Sequence, residues 1–117
     1  MVRVNGRADV VWPRGDTGSI QIHVPYHVDE GDISLFLVFD RFTRKVLAEQ
    51  VVILEDDYVT VPFGQELAWR LMPGKYFWDV KLYHDPIYDD EGRVMGALTI
   101  DSIYGAFKQP SLTVTEV

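Results

Sequence analysis

Cysteine is absent from this chain of 117 residues. Disulfides, thiolate metal centres and cysteine nucleophiles are therefore excluded together, since each needs a sulfur. Long hydrophobic runs are absent as well. The longest unbroken apolar stretch is Leu35–Phe39, far short of the roughly 20 residues that a membrane-spanning helix needs. Met1–Asp9 carries charge throughout and holds no apolar segment of signal-peptide length, so the sequence predicts a chain that folds in the cytoplasm of the cell that makes it. Cations are scarce: Lys and Arg number 11 against 18 Asp and Glu, a net charge of −7. Nucleic-acid affinity comes largely from neutralising phosphates, and docking on anionic lipid needs clustered cations, so neither partner is expected.

Catalytic signatures are also missing. No Gly-x-Ser-x-Gly elbow surrounds any serine, and no Gly-rich phosphate loop precedes a helix. Carboxylates pair only in turns, where water solvates them and nothing raises their acidity constants. The sequence predicts a non-enzyme that needs no cofactor.

What is present is an ordinary globular composition, 47% hydrophobic and 25% charged, in a length that suits one domain over 1–117. The dominant pattern has period 2. Ile20, Ile22 and Val24 alternate with Ser19, Gln21 and His23, and Tyr76, Trp78, Val80 and Leu82 alternate with Phe77, Asp79, Lys81 and Tyr83. Ile33–Phe39 is apolar on both parities, as for a strand covered on both faces. Further strands are predicted over 10–12, 45–54, 57–62, 93–100, 103–108 and 112–117, with an acidic loop at 84–92. Leu67, Ala68 and Leu71 recur at helical spacing over 64–71, and Pro73-Gly74 stops that piece. Seven to nine short strands with turn residues between them predict an all-β, immunoglobulin-like antiparallel β-sandwich with one short helix.

One local pattern sharpens this. Gly74 precedes by two residues a Tyr76 that opens a strand, the arrangement of a tyrosine corner whose hydroxyl bonds back to the preceding crossover. Trp78 stands where antibody domains carry a cysteine, and an indole of up to ~250 Å² fills the volume of a disulfide. The competing reading makes Tyr76 one more core aromatic.

Three segments carry a resemblance: Arg14-Gly15-Asp16-Thr17 leading into the first alternating strand, Leu71–Val80, and Gly92–Lys108 followed by Leu112–Val117. Over roughly 14–117 the sequence resembles the N-terminal immunoglobulin-like domain of phage baseplate upper proteins and related small β-sandwich proteins of tailed-phage particles. The resemblance implies a structural virion protein in the baseplate, tail, neck or head surface. It implies assembly in the host cytoplasm, docking on other virion proteins and symmetric homo-oligomers.

Other candidate sites are sparse. Arg14-Gly15-Asp16 matches an integrin-binding tripeptide, but a turn before a strand favours the same residues. His23 and His27 share strand parity without a third zinc ligand nearby, unless the fold brings up His84. Asp85, Asp89, Asp90 and Glu91 are a carboxylate cluster suited to calcium's six to eight oxygens; Pro86 and Tyr88 interrupt it, and a solvated loop is the default.

Surface recognition remains. Phe77 and Tyr83 either find cover, from a second core or from the 64–71 helix, or form an aromatic strip for a neighbouring subunit. Leu112 and Val114 sit on a last strand open to pairing with another copy. A second class of function is a carbohydrate- or ligand-binding sandwich that stacks a sugar on Trp69 or Trp12.

Overall fold

The computed structural model describes residues 1–105 and 108–116. Nine strands, β1 (Arg3–Val4), β2 (Val10–Pro13), β3 (Gly18–His23), β4 (Ile33–Asp40), β5 (Val46–Glu55), β6 (Tyr58–Phe63), β7 (Gly74–Tyr88), β8 (Val94–Ser102) and β9 (Ser111–Thr115), accompany one helix, α1 (Gln65–Ala68). They hydrogen-bond in the order β1-β2-β9-β7-β4-β5-β6-β3, with β8 beside β7 and off that path. β5 folds the path into two layers. Its residues Val46–Val52 pair with β4, and Ile53–Glu55 pair with β6. Pro62 is tolerated in β6 because β5 flanks only Tyr58–Thr60, so the missing N–H breaks no ladder there.

The period-2 residues meet between the layers. Ile20, Ile22, Phe36, Val38, Val59, Val61, Trp78 and Val80 belong to one buried cluster. An aromatic chain runs through it: Trp12 to Phe63 at 5.6 Å, Phe63 to Phe36 at 5.9 Å, and Phe36 to Trp78 at 5.8 Å between centroids. Each contact is tilted or edge-on, worth about 0.5–1.5 kcal/mol beyond the area buried. β4 is buried on both faces, with Leu35, Leu37 and Phe39 covered opposite the core.

Several expectations are adjusted. The sheet is mixed: β2 and β9 run parallel, while the other pairings among the described residues are antiparallel. Alternation alone cannot distinguish the two senses. The helix is one turn, Gln65–Ala68, inside the predicted 64–71. It lacks a side-chain N-cap, and the Arg14 guanidinium serves its far end, donating to the carbonyls of Ala68 (2.7 Å) and Leu71 (3.1 Å). No strand occupies Ile103–Gly105, and Ala106 and Phe107, also in the predicted 103–108, lie outside the described residues. The predicted loop at 84–92 is mostly strand, because β7 continues to Tyr88.

Tyr76 Oη donates to the Met72 carbonyl at 2.6 Å and closes the crossover into β7. Trp78 is fully buried, and its Nε1 donates to the carbonyls of Ala8 (3.2 Å) and Ser111 (3.1 Å). A disulfide would bind two strands covalently; here one indole holds the N-terminal segment and β9 against β7.

Candidate functional site

β4 accompanies β7 only as far as Tyr83, opposite Ile33. Beyond it, His84–Tyr88 has β8 alone for a strand partner among the described residues, in the pairs His84–Thr99, Pro86–Ala97, Ile87–Gly96 and Tyr88–Val94. The two strands form an arm whose tip lies against the outer face of β4 and β5.

Its root is tied by charge. His84 Nδ1 lies 2.8 Å from Asp32 Oδ2 and Nε2 lies 2.9 Å from Asp101 Oδ2, so the ring bridges the loop before β4 and the end of β8. A neutral imidazole has one N–H, and two carboxylates facing both nitrogens call for the doubly protonated ring. Burial opposes that charge, but the bonds to Asp101 and Asp32 and their negative charges outweigh it, and the His84 pKa is raised. Burial also opposes ionising Asp32; the Asp29 backbone N–H and His84 prevail, and its pKa is lowered.

The tip is tied by a turn. Asp89 Oδ1 accepts the N–H groups of Glu91 and Arg93, both at 2.9 Å, and the Gly92 N–H reaches the Asp89 carbonyl at 3.0 Å. Gly92 has φ +80°, a conformation that side chains with a Cβ rarely adopt.

Between root and tip the arm is apolar and exposed: Ile87, Tyr88, Met95, Leu98 and Ile100 all face solvent, Leu98 with 77% of its surface. A cleft of about 580 Å³ lies where the tip approaches the outer face of β4 and β5, lined by Ile33, Leu35 and Val51 with Tyr88 and Val94 from the arm. Val51 and Ile53 extend the exposed apolar surface along β5.

The residues singled out in the sequence are dispersed. Asp89 is spent on its turn, Glu91 pairs with Arg93 at 2.7 Å, and Asp85, Asp89, Asp90 and Glu91 do not place three carboxylates around one point. His23 packs on Tyr58, away from His84, whereas His27 bonds Asp29, whose backbone N–H donates to the Asp32 carboxylate that His84 meets. Asp29, Asp32 and His84 do converge, with both His84 nitrogens facing carboxylates of Asp32 and Asp101. Arg14 is occupied at α1, so Arg14-Gly15-Asp16 is a structural turn. Leu112 and Val114 are buried, and β9 is paired on both sides by β2 and β7. The last strand therefore has no free edge among the described residues; β8 has one. Phe77 and Tyr83 are half-buried on the outer face, Phe77 beneath the Arg44 guanidinium at 4.5 Å, while α1 packs into the main core instead of over them. Trp12 is fully buried and offers no platform, whereas Trp69 is exposed beside a cleft of about 480 Å³ that includes Thr17 and Gln65.

Sequence reasoning missed the arm and its root. Asp32, His84 and Asp101 lie up to 69 positions apart in the chain, and no local pattern announces their meeting. The arm had one visible signal, the parity shared by Tyr83 and Ile87, which the acidic residues around them obscured. One buried carboxyl also escaped: Asp79, whose oxygens accept from Ser102 Oγ and from the N–H groups of Val80 and Tyr104, and whose pKa burial raises against those bonds. Comparison of the chain with protein-family models, curated proteins and solved structures returned no match.

Proposed function

We propose that this chain is a non-enzymatic structural component of a tailed-phage virion, acting by docking its β-sandwich on other virion proteins. The two-stranded arm, with its exposed apolar side chains, carries this reading. Two-stranded hairpins are marginal in water, and this one exposes five large apolar side chains where a solvated loop would carry polar ones. Exposed large apolar side chains are enriched at protein contact sites. The resemblance of 14–117 to baseplate immunoglobulin-like domains supplies the assignment to a particle. The test is peptide mass spectrometry on density-purified particles of the producing phage. The chain is expected at a stoichiometry matching a symmetric ring or lattice, and its absence from particles whose other proteins are detected overturns the virion assignment.

A second reading, carbohydrate binding, has one observation behind it, the exposed Trp69 beside its cleft. Trp12 and Trp78 are sealed in the core, so a sugar-induced change in tryptophan fluorescence that vanishes in Trp69→Phe supports this reading, and an unchanged spectrum across a glycan panel removes it.

A further inference from the structure

We propose that Asp29, Asp32 and His84 bind a divalent cation of the zinc class at the root of the arm, through one oxygen of each carboxylate and Nδ1 of the imidazole. The inference does not depend on the exposed side chains that carry the docking role, and it stands without them.

The fold brings the three residues together by register. β4 and β7 pair Ile33 with Tyr83, which sets their neighbours Asp32 and His84 side by side where the two strands part. The turn from Asp29 to Asp32, closed by the Asp32 N–H on the Asp29 carbonyl at 3.1 Å, brings Asp29 beside them. Their ligating atoms all lie within 4.8 Å of one another. Zinc binds nitrogen and oxygen at about 2.0–2.2 Å, so ligands around a tetrahedral ion stand roughly 3.3–3.6 Å apart. His84 Nδ1 and Asp32 Oδ2 are 2.8 Å apart and need part by only about half an ångström to admit an ion. The ion takes the place of the second proton of the imidazolium.

Charge and burial separate this cluster from a solvated group of acids. The Asp32 side chain is 3% exposed and that of His84 19%, so water hydrates the carboxylate poorly and a cation gains accordingly. Asp29, Asp32 and Asp101 are all carboxylates, and among the described residues no lysine or arginine pairs with any of them. The imidazole is held as metal-ligating histidines usually are, with its far nitrogen on a carboxylate: Nε2 meets Asp101 Oδ2 at 2.9 Å. An N–H fixed at Nε2 leaves the Nδ1 lone pair for the ion and raises its basicity. His27 Nε2 holds Asp29 at 2.7 Å, and the Asp29 N–H holds Asp32 at 2.8 Å.

One imidazole with two carboxylates is a donor set for zinc and its first-row neighbours, whereas calcium and magnesium take shells of oxygen. Three protein ligands leave the fourth position to water. The bound ion links the loop before β4 to the start of the arm.

Calorimetric titration of the full chain, untagged and stripped with a chelator, is expected to show one zinc ion per chain and a melting temperature that rises with zinc. Cobalt in its place should give the visible absorption of a four-coordinate site. Asp29→Asn, at an exposed position, and His84→Gln should each weaken zinc binding roughly tenfold or more, and Asp101→Ala by roughly 10–100-fold, with circular dichroism unchanged. His23→Gln, a surface histidine away from the cluster, should bind as wild type does. Absence of zinc binding overturns the inference. Binding that survives both Asp29→Asn and His84→Gln, or that falls equally in His23→Gln, is adventitious and overturns it too, as does a preference for calcium over zinc.

Discussion

His84 Nδ1 and Asp32 Oδ2 stand 2.8 Å apart across 52 residues of chain, and this contact joins the root of the arm to the sandwich. The raised His84 pKa means that its contribution is complete below about 6.5, the ordinary imidazole value, and is lost as pH rises through the higher folded value. The lowered Asp32 pKa means that its contribution is present above the ordinary 3.8 and is lost as pH falls through the lower folded value. The bridge is therefore strongest between about pH 4 and 6.5.

Urea unfolding of wild type and His84→Gln from pH 5 to 9 checks this. At pH 6 the variant should be less stable by about 1.5–3 kcal/mol, the range for a hydrogen bond to a charged group. The gap should narrow as pH rises through the raised pKa and the wild-type ring loses its charge. A gap independent of pH would show that the ring acts through packing alone.

Removing the Tyr76 hydroxyl breaks one bond, to the Met72 carbonyl at 2.6 Å, and leaves the ring in place. Tyr76→Phe should cost about 1 kcal/mol, seen as a melting temperature lower by roughly 3–6 °C. An unchanged midpoint would assign Tyr76 a packing role only.

Asp79 is fully buried, held by Ser102, Val80 and Tyr104, with no cation at hydrogen-bond distance among the described residues. Its raised pKa makes the protonated carboxyl the better fit to the fold, so its contribution falls as pH climbs from 3.8 through the raised value. Asp79→Asn keeps an acceptor and removes the charge. It should match or exceed wild-type stability at pH 7 and flatten that slope, whereas Asp79→Ala strands buried donors and should cost about 1–3 kcal/mol. Equal losses in both variants would mean that the charge itself is required.

The pattern of residues shows how far sequence reached. The alternation of Tyr76, Trp78, Val80 and Leu82 is a local consequence of the pleat, so the core strand and the closure into β7 were legible. The strand termini were less so. Asp85 and Asp89 look like loop residues by composition, yet β7 runs through the first and the second closes a turn with its own side chain. Partners that meet through the fold were invisible, and Asp32, His84 and Asp101 are the case in point. The free edge was misplaced for the same reason: Leu112 and Val114 end the sequence, but β2 runs parallel alongside them, and that pairing joins the first strands of the chain to the last.

The most direct measurement follows the arm into the particle. Wild-type chain and Leu98→Lys, tagged differently and supplied together during infection, should separate on particle purification. The docking account predicts that wild type is retained and that the folded variant is depleted at least tenfold. Equal retention of the two would contradict the role of the arm.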